Sequence, residues 1–484
     1  MKKIILFILT LTFSIQCFAK NGFAHISGNI ADLKDNDIVR LTVSKYGSPA
    51  FDFDTTSYFC RVVHHSFHFT VGTSNTPLQL EMNFRDNSFP PGTSAGFFNV
   101  YQKLNIRNGL IEDGDNVFIT SSAGGLVFSG MGAAKFKVSQ YLNQAYLSRS
   151  NDGLPSSTKS YFEYCDAFAE KSLHYLNSVK GELSHPVFVL LQARALAFFY
   201  GKGFGSYFVN WRDSSRTKVL DNLNSYQPHL PMVNPDKFNR EDLLQYADSY
   251  AASLISRYTF DSCYVNNRPF IVKDCYKYIV NHYQGALRER LVTDLLYKNR
   301  KATEDISGNI NDALTYVHNP DFIAVLQKVK ANHIVGAPAC NFSLPDPQGN
   351  LHSLDEYKGK IILVDFWFTG CGNCIRVAPY LARIEKNFSG KPVVFLSINF
   401  ADKKAEWMES LKSGKYSSEY ATNLFSNVNG LSYSEPVIKY YNVDGGPTLI
   451  MIDKNGKLMN NVVDPRIDNG KDITDKINTA LTAN

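Results

Sequence analysis

The chain has 484 residues, beyond the ~250–300 at which single cores stop growing, so more than one domain is expected. Its 44 % hydrophobic, 13 % aromatic and 20 % charged residues exclude global disorder and collagen-like or low-complexity classes. Lysine and arginine exceed aspartate and glutamate by only five, with no long basic run, so no nucleic-acid partner is expected.

Residues 1–19 read as an address. Lys2 and Lys3 precede an apolar run from Ile4 to Ile15, too short for the ~20 residues a spanning helix needs, and Cys17-Phe18-Ala19 supplies small residues for a signal peptidase. Acylation at Cys17 is disfavoured, because Gln16 stands where a lipoprotein site wants a small residue. The mature chain is therefore expected to be soluble outside the cytoplasm, secreted rather than lipid-anchored.

Residues 20–131 alternate apolar and polar positions, as in Phe67, Phe69 and Val71, or Leu78, Leu80, Met82 and Phe84. Strict alternation is the pattern of half-buried strands, and an antiparallel β-sandwich is expected. Glu112-Asp113-Gly114-Asp115 lacks the spaced oxygen ligands of a calcium loop and reads as a hairpin turn. His64, His65 and His68 beside Cys60 could suggest zinc, but neighbours on a strand face opposite sides, so they read as exposed strand residues.

Residues 132–334 change to a helical period. Leu243, Tyr246, Ala247, Tyr250, Ala251 and Leu254 fall on one stripe, and no catalytic constellation is visible, so this block reads as a helical domain.

Residues 335–484 alternate strand-like and helix-like runs. Ile361 to Trp367 is a nearly continuous apolar strand interrupted only by Asp365, as for a strand covered on both faces. A helix is expected from Gly372, carrying Val377, Leu381, Ile384 and Phe388 on one stripe and bent by Pro379. A strand at Pro392–Ile398 and another at Pro447–Asp453 follow, the latter closed by an Asn455-Gly456 hairpin turn.

Cys371-Gly372-Asn373-Cys374 stands where the buried strand gives way to the helix. A spacing of three puts both sulfurs on one face of a helical turn, close enough for a disulfide, with the free N–H groups of the first turn pointing at Cys371. The positive helix end favours a thiolate there, and a better leaving group is the larger gain for turnover. Zinc would need a second close cysteine pair, which Cys60, Cys165, Cys263, Cys275 and Cys340 do not supply. Haem attachment would need histidine where Ile375 stands. No cofactor and no metal are expected. A merely structural disulfide would close too short a loop to stabilise much.

The run Gly336-Ala337-Pro338, Phe342-Ser343-Leu344, Asp346, Gly349, Ser353-Leu354, Lys358-Gly359-Lys360, Val364-Asp365-Phe366-Trp367, Cys371 to Cys374, Pro379 and Gly446-Pro447-Thr448 resembles the TlpA/ResA-like branch of the thioredoxin superfamily over about the last 150 residues. The resemblance implies a thioredoxin-like fold, a membrane-facing location in the periplasm or cell envelope, and dithiol–disulfide exchange with protein partners. It implies that Pro447 is a cis-proline packed on the dithiol, and that Gly446, Pro447 and Trp367 contact substrate. It also implies that Asp365 is the buried acid behind Cys374, able to exchange a proton with it. The sequence departs from the family at Gly370, Asn373 and Val377, where tryptophan, proline and an acid are frequent. The β block, with Gly28, the Leu110–Asp115 run and Phe128-Ser129-Gly130, is similar to β-domains that precede such catalytic domains in some envelope proteins.

The expected chain is thus multidomain: signal 1–19, β-sandwich 20–131, helical domain 132–334 and α/β thioredoxin-like domain 335–484. The expected activity is that of a protein-disulfide reductase acting through Cys371, Cys374 and Asp365, with disulfide-containing envelope proteins as partners and a membrane thiol donor. A disulfide-donating oxidase and an envelope scaffold with a secondary redox site are the alternatives. A peroxidase would need proline and threonine where Val364 and Phe368 stand.

Overall fold

The structure, a computed structural model, describes residues 22–85, 104–123, 125–147, 158–197, 220, 235–430, 432 and 435–482. The expected signal segment lies outside the described residues. The chain divides into two compact units, residues 1–268 and 269–484.

Among the described residues of the first unit the alternating segments form eight strands, β1 (Phe23–Asn29), β2 (Ile38–Ser44), β3 (Thr56–Arg61), β4 (Ser66–Gly72), β5 (Leu78–Arg85), β6 (Ile106–Ile111), β7 (Asn116–Ser122) and β8 (Gly125–Met131). They build two four-stranded sheets, ordered β4-β1-β7-β8 and β3-β2-β5-β6. Inward residues of both sheets, such as Ile26, Phe69 and Ile119 from one and Leu41, Leu80 and Met82 from the other, form one apolar cluster. The expectation of purely antiparallel pairing is corrected at β1 and β7, which run parallel with Ile26 opposite Val117. Alternation says which side chains are buried and carries no information about strand direction.

Two turns also differ from expectation. His64 and His65 are the two-residue turn between β3 and β4, with φ of 49° and 62°, rather than strand residues. Reciprocal hydrogen bonds between Val63 and Ser66 close that turn. Glu112–Asp115 connects β6 to β7, which belong to different sheets, so it is a sheet-to-sheet crossing and not a hairpin. Its Asp115 is buried and accepts from Lys135 Nζ at 2.7 and 2.8 Å, while Glu112 accepts from the same ammonium at 2.6 Å.

Among the described residues the unit also holds four longer helices: α1 (Ala133–Leu147), α2 (Thr158–Ser178), α3 (His185–Ala197) and α4 (Asp248–Tyr258). The stripe expected as one helix around Leu243–Leu254 is broken at Ala247 (φ −96°, ψ 73°) into a 3-10 turn and α4, and Leu244 rather than Leu243 is buried.

The second unit begins with four helices, α5 (Val272–His282), α6 (Gly285–Lys298), α7 (Ser307–Tyr316) and α8 (Pro320–His333). The helical stretch expected as one domain is therefore shared between the two units. Helical periodicity marks an apolar face without saying which core that face joins. A short hairpin, β9 (Ser343–Pro345) with β10 (Leu351–Ser353), leads into a four-stranded sheet ordered β13-β12-β11-β14. Its strands are β11 (Ile361–Trp367), β12 (Val393–Asn399), β13 (Thr422–Phe425) and β14 (Thr448–Ile452). β12 is parallel to β11 and β13, and β14 is antiparallel to β11. The sequence reading missed β13, and the arm after the Asn455-Gly456 turn is reduced to bridges at Lys457 and Leu458.

β11 is buried along its whole length because helices cover both faces. Ile361 and Leu363 pack with α9 (Gly372–Asn387) and α12 (Lys471–Thr482), whereas Ile362, Val364 and Phe366 pack with α11 (Pro436–Tyr440). α10 (Lys404–Lys412) contributes Trp407 to a third cluster at the carboxyl end of β11.

Candidate functional site

The site is built where β11 ends and α9 begins. After Trp367 the chain turns through Phe368-Thr369-Gly370, and this turn is fixed by buried Asp402, whose carboxylate accepts from Thr369 N at 3.0 and 3.1 Å. Gly370 has φ +85°, a left-handed conformation that a tryptophan would adopt only with strain, and its N–H donates to Tyr416 Oη at 2.9 Å. The backbone of this turn explains a glycine at this position.

Cys371 is the N-cap of α9, and its Sγ accepts from Cys374 N at 3.1 Å. The two sulfurs are joined in a disulfide with Cα atoms 5.3 Å apart. Cys371 retains 5 % of its surface and Cys374 2 %, so both residues are largely buried, Cys371 slightly less so. Between them Asn373 is exposed, and its Oδ1 accepts from Arg376 Nη2 at 2.6 Å and Arg466 Nη1 at 3.1 Å. Hydrogen bonds thus hold the inter-cysteine residue where a proline ring would otherwise stiffen it.

The Gly446–Pro447 peptide is cis, and the pair opens β14 beside the disulfide. A Cβ on Gly446 would stand 2.8 Å from Cys374 Sγ, 3.2 Å from Phe366 O and 3.5 Å from Cys371 Sγ. The loop before it is anchored from the helical segment of the same unit. Arg300 Nη2 donates to Asn442 O at 3.4 Å and to Asp444 Oδ2 at 3.1 Å, and Lys301 Nζ donates to Asp444 Oδ1 at 2.9 Å.

Trp367, which the resemblance places at the substrate surface, has no exposed surface in this structure. It is fully buried, stacked on Tyr416 with ring centroids 4.7 Å apart, and its Nε1 donates to Ser397 Oγ at 2.8 Å. Trp367 packs in one cluster with Cys371 and Cys374, so it forms the floor beneath the disulfide. The continuous apolar run of β11 already required a covered side chain at this position.

Asp365 is buried on the α9 side of β11, and its Oδ1 has no hydrogen-bond partner among the described residues. Burial, reinforced by the nearby Glu385 carboxylate, pushes its pKa up to about 8. Glu385 is buried on α9, where it accepts from the Ser418 hydroxyl, and burial raises its pKa as well. The sequence reading missed Glu385, although an acid four and eight residues beyond the buried Leu381 and Val377 interrupts an apolar stripe. It also missed Asp402 and Tyr416, which tertiary contacts alone bring to the site.

Residues 334–477 match the Redoxin family model. The chain is 32 % identical over 124 residues to the thiol-disulfide oxidoreductase ResA of Geobacillus kaustophilus, covering 26 % of this chain and 66 % of that protein. It is equally 32 % identical to ResA of Bacillus subtilis, covering 64 % of it, so the chain spans just under two thirds of these curated relatives. Among solved structures, the thioredoxin domain of a thiol-disulfide oxidoreductase from Bacteroides vulgatus is 25 % identical, covering 31 % of this chain and 98 % of that one with a TM-score of 0.26. Residues 334–477 of this chain thus carry a Redoxin domain, and this C-terminal part is TlpA/ResA-like, similar to the ResA thiol-disulfide oxidoreductases.

Proposed function

We propose that the chain is an extracytoplasmic thiol:disulfide oxidoreductase that reduces disulfides in envelope proteins through Cys371 and Cys374. The observation carrying this reading is the Cys371–Cys374 disulfide at the start of α9 with the Gly446–Pro447 loop against it. In the reduced form, the helix N-terminus stabilises a Cys371 thiolate, which attacks one sulfur of a partner disulfide. The partner's other sulfur leaves as a thiolate and is protonated by water. Cys374 then gives its proton to Asp365 and attacks Cys371 Sγ, so the internal disulfide forms and the second partner sulfur departs. Two electrons pass from the dithiol to the partner, and a membrane thiol donor returns them.

The two facing sheets of the first unit favour an architecture in which a β-sandwich precedes the catalytic domain in the chain. Secretion rests on residues 1–19 as a signal segment; among the described residues no helix is long and apolar enough to cross a membrane.

Insulin reduction by the full chain, with Cys371→Ser as the control, tests the reading. Activity in the wild type and its loss in the variant are expected, whereas equal activity would remove the catalytic role. A reduction potential near about −270 mV supports a reductase, and one near about −120 mV a disulfide donor. Capture of a mixed disulfide by Cys374→Ala identifies the partner.

A further inference from the structure

Asp365 lies in a closed part of the fold, and a proton acceptor there needs a route for its proton. A small cavity joins Asp365 on β11 with Ser397 on β12, Glu385 on α9 and the segment Tyr416-Ser417-Ser418. Its remaining lining is apolar, and its titratable groups are Asp365, Glu385 and Tyr416. Tyr416 is engaged elsewhere, stacked on Trp367 with its hydroxyl taken by Gly370 N. Glu385 is thus the titratable group of the cavity left to pair with Asp365.

The position of Glu385 is itself costly. It is only 7 % exposed and sits in the last turn of α9, where the carbonyl ends of the helix disfavour a carboxylate. Leucine would suit the stripe of Val377 and Leu381 better, so packing does not explain an acid there. Its Oε2 accepts from the hydroxyl of half-buried Ser418, which also accepts from Tyr420 N at 3.0 Å, and Glu419 and Tyr420 are at the surface. The carboxyl group therefore lines the same cavity as the buried Asp365 and is hydrogen-bonded to a hydroxyl that neighbours surface residues.

We propose that Glu385 is a positioning residue for the chemistry of Cys374, relaying the proton of Asp365 to and from solvent at Ser418. This inference rests on the reading of Asp365 as the proton acceptor for Cys374. In the resolving step Cys374 loses its proton to Asp365, the Cys371–Cys374 bond forms, and the bond from Cys371 to the partner sulfur breaks. The leaving thiolate is protonated by water. Neutral Asp365 then passes its proton to the Glu385 carboxylate, and water at Ser418 removes it, so one proton enters from solvent and one returns. Reduction of the disulfide uses the same path in reverse.

The test is the single-turnover rate of disulfide closure in the reduced full chain, mixed with oxidised glutathione and followed by tryptophan fluorescence from pH 5 to 9. Glu385→Gln is expected to slow closure about 5- to 10-fold and to move the midpoint of the pH profile downward, because the variant lacks the carboxylate that opposes ionisation of Asp365. Glu385→Asp should recover part of the rate, and Ser418→Ala should slow closure about 2-fold or more. A slower rate with an unmoved midpoint would make Glu385 structural and overturn the relay. Glu385→Gln within 2-fold of the wild type, beside a slow Asp365→Asn, would overturn the relay and leave the role of Asp365 standing. An Asp365→Asn variant as fast as the wild type would overturn both.

Discussion

Gly446 and Cys374 are packed so closely that no side chain fits between them: a Cβ on Gly446 would lie 2.8 Å from Cys374 Sγ. The neighbouring obstacle is the backbone oxygen of Phe366 at 3.2 Å, which cannot swing aside as a flexible side chain would. Glycine is therefore a condition for the loop that opens β14 to lie on the disulfide.

Gly446→Ala should accordingly push that loop off the disulfide. Overpacking of this kind costs about 1–3 kcal/mol, and insulin reduction should fall by roughly 10-fold. Denaturant unfolding and the insulin assay check the two effects together. A variant with wild-type stability and rate would show that the loop is not held against the sulfurs.

Asp365 predicts a pH-dependent stability difference. Its folded pKa of about 8 lies above the unfolded value of 3.8, so the native state keeps a proton that the unfolded chain has lost between those limits. The stability contributed by this site is present below about pH 4 and is lost as pH rises towards 8. Asparagine does not titrate, so the melting temperature of Asp365→Asn relative to the wild type should rise from pH 5 to pH 9, by several degrees. Thermal scans at both pH values decide it, and a constant difference would mean that the Asp365 carboxyl is not held neutral.

Arg300 and Asp444 should contribute unequally although they form one ion pair. The Asp444 side chain is 70 % exposed, so Asp444→Asn should cost less than about 1 kcal/mol. Arg300 is 5 % exposed and also donates to Tyr297 O and Asn442 O, so Arg300→Ala should cost about 2–4 kcal/mol. Chemical denaturation of the two variants measures the difference, and equal costs would contradict the buried role of the guanidinium.

Lys135 holds two carboxylates at the crossing between the sheets of the first unit, Glu112 at 2.6 Å and Asp115 at 2.7 Å. Lys135→Met leaves a buried carboxylate uncompensated, at about 3–5 kcal/mol. Amide hydrogen exchange should accelerate across β6 and β7. Protection equal to the wild type in both strands would show that the triad is dispensable.

The sequence by itself determined what repeats locally or stands next to its partner in the chain. Alternation marked the strands of the first unit, and the unbroken apolar run of Ile361–Trp367 marked a strand covered on both faces. The spacing of Cys371 and Cys374 at a strand-to-helix junction marked the redox pair, because helix geometry alone brings residues three apart together. Asp365 was legible as the charge in an apolar strand. Tertiary structure alone decided the parallel pairing of β1 with β7, the division of the helical region between two units, and the placement of Trp367 beneath the disulfide. It likewise decided that Glu385, Ser418 and Tyr416 converge on Asp365, and that Arg300 reaches the loop before Pro447. These groups lie from tens of residues to more than a hundred residues from their partners, and local period and spacing encode which face of an element is buried but not what covers it.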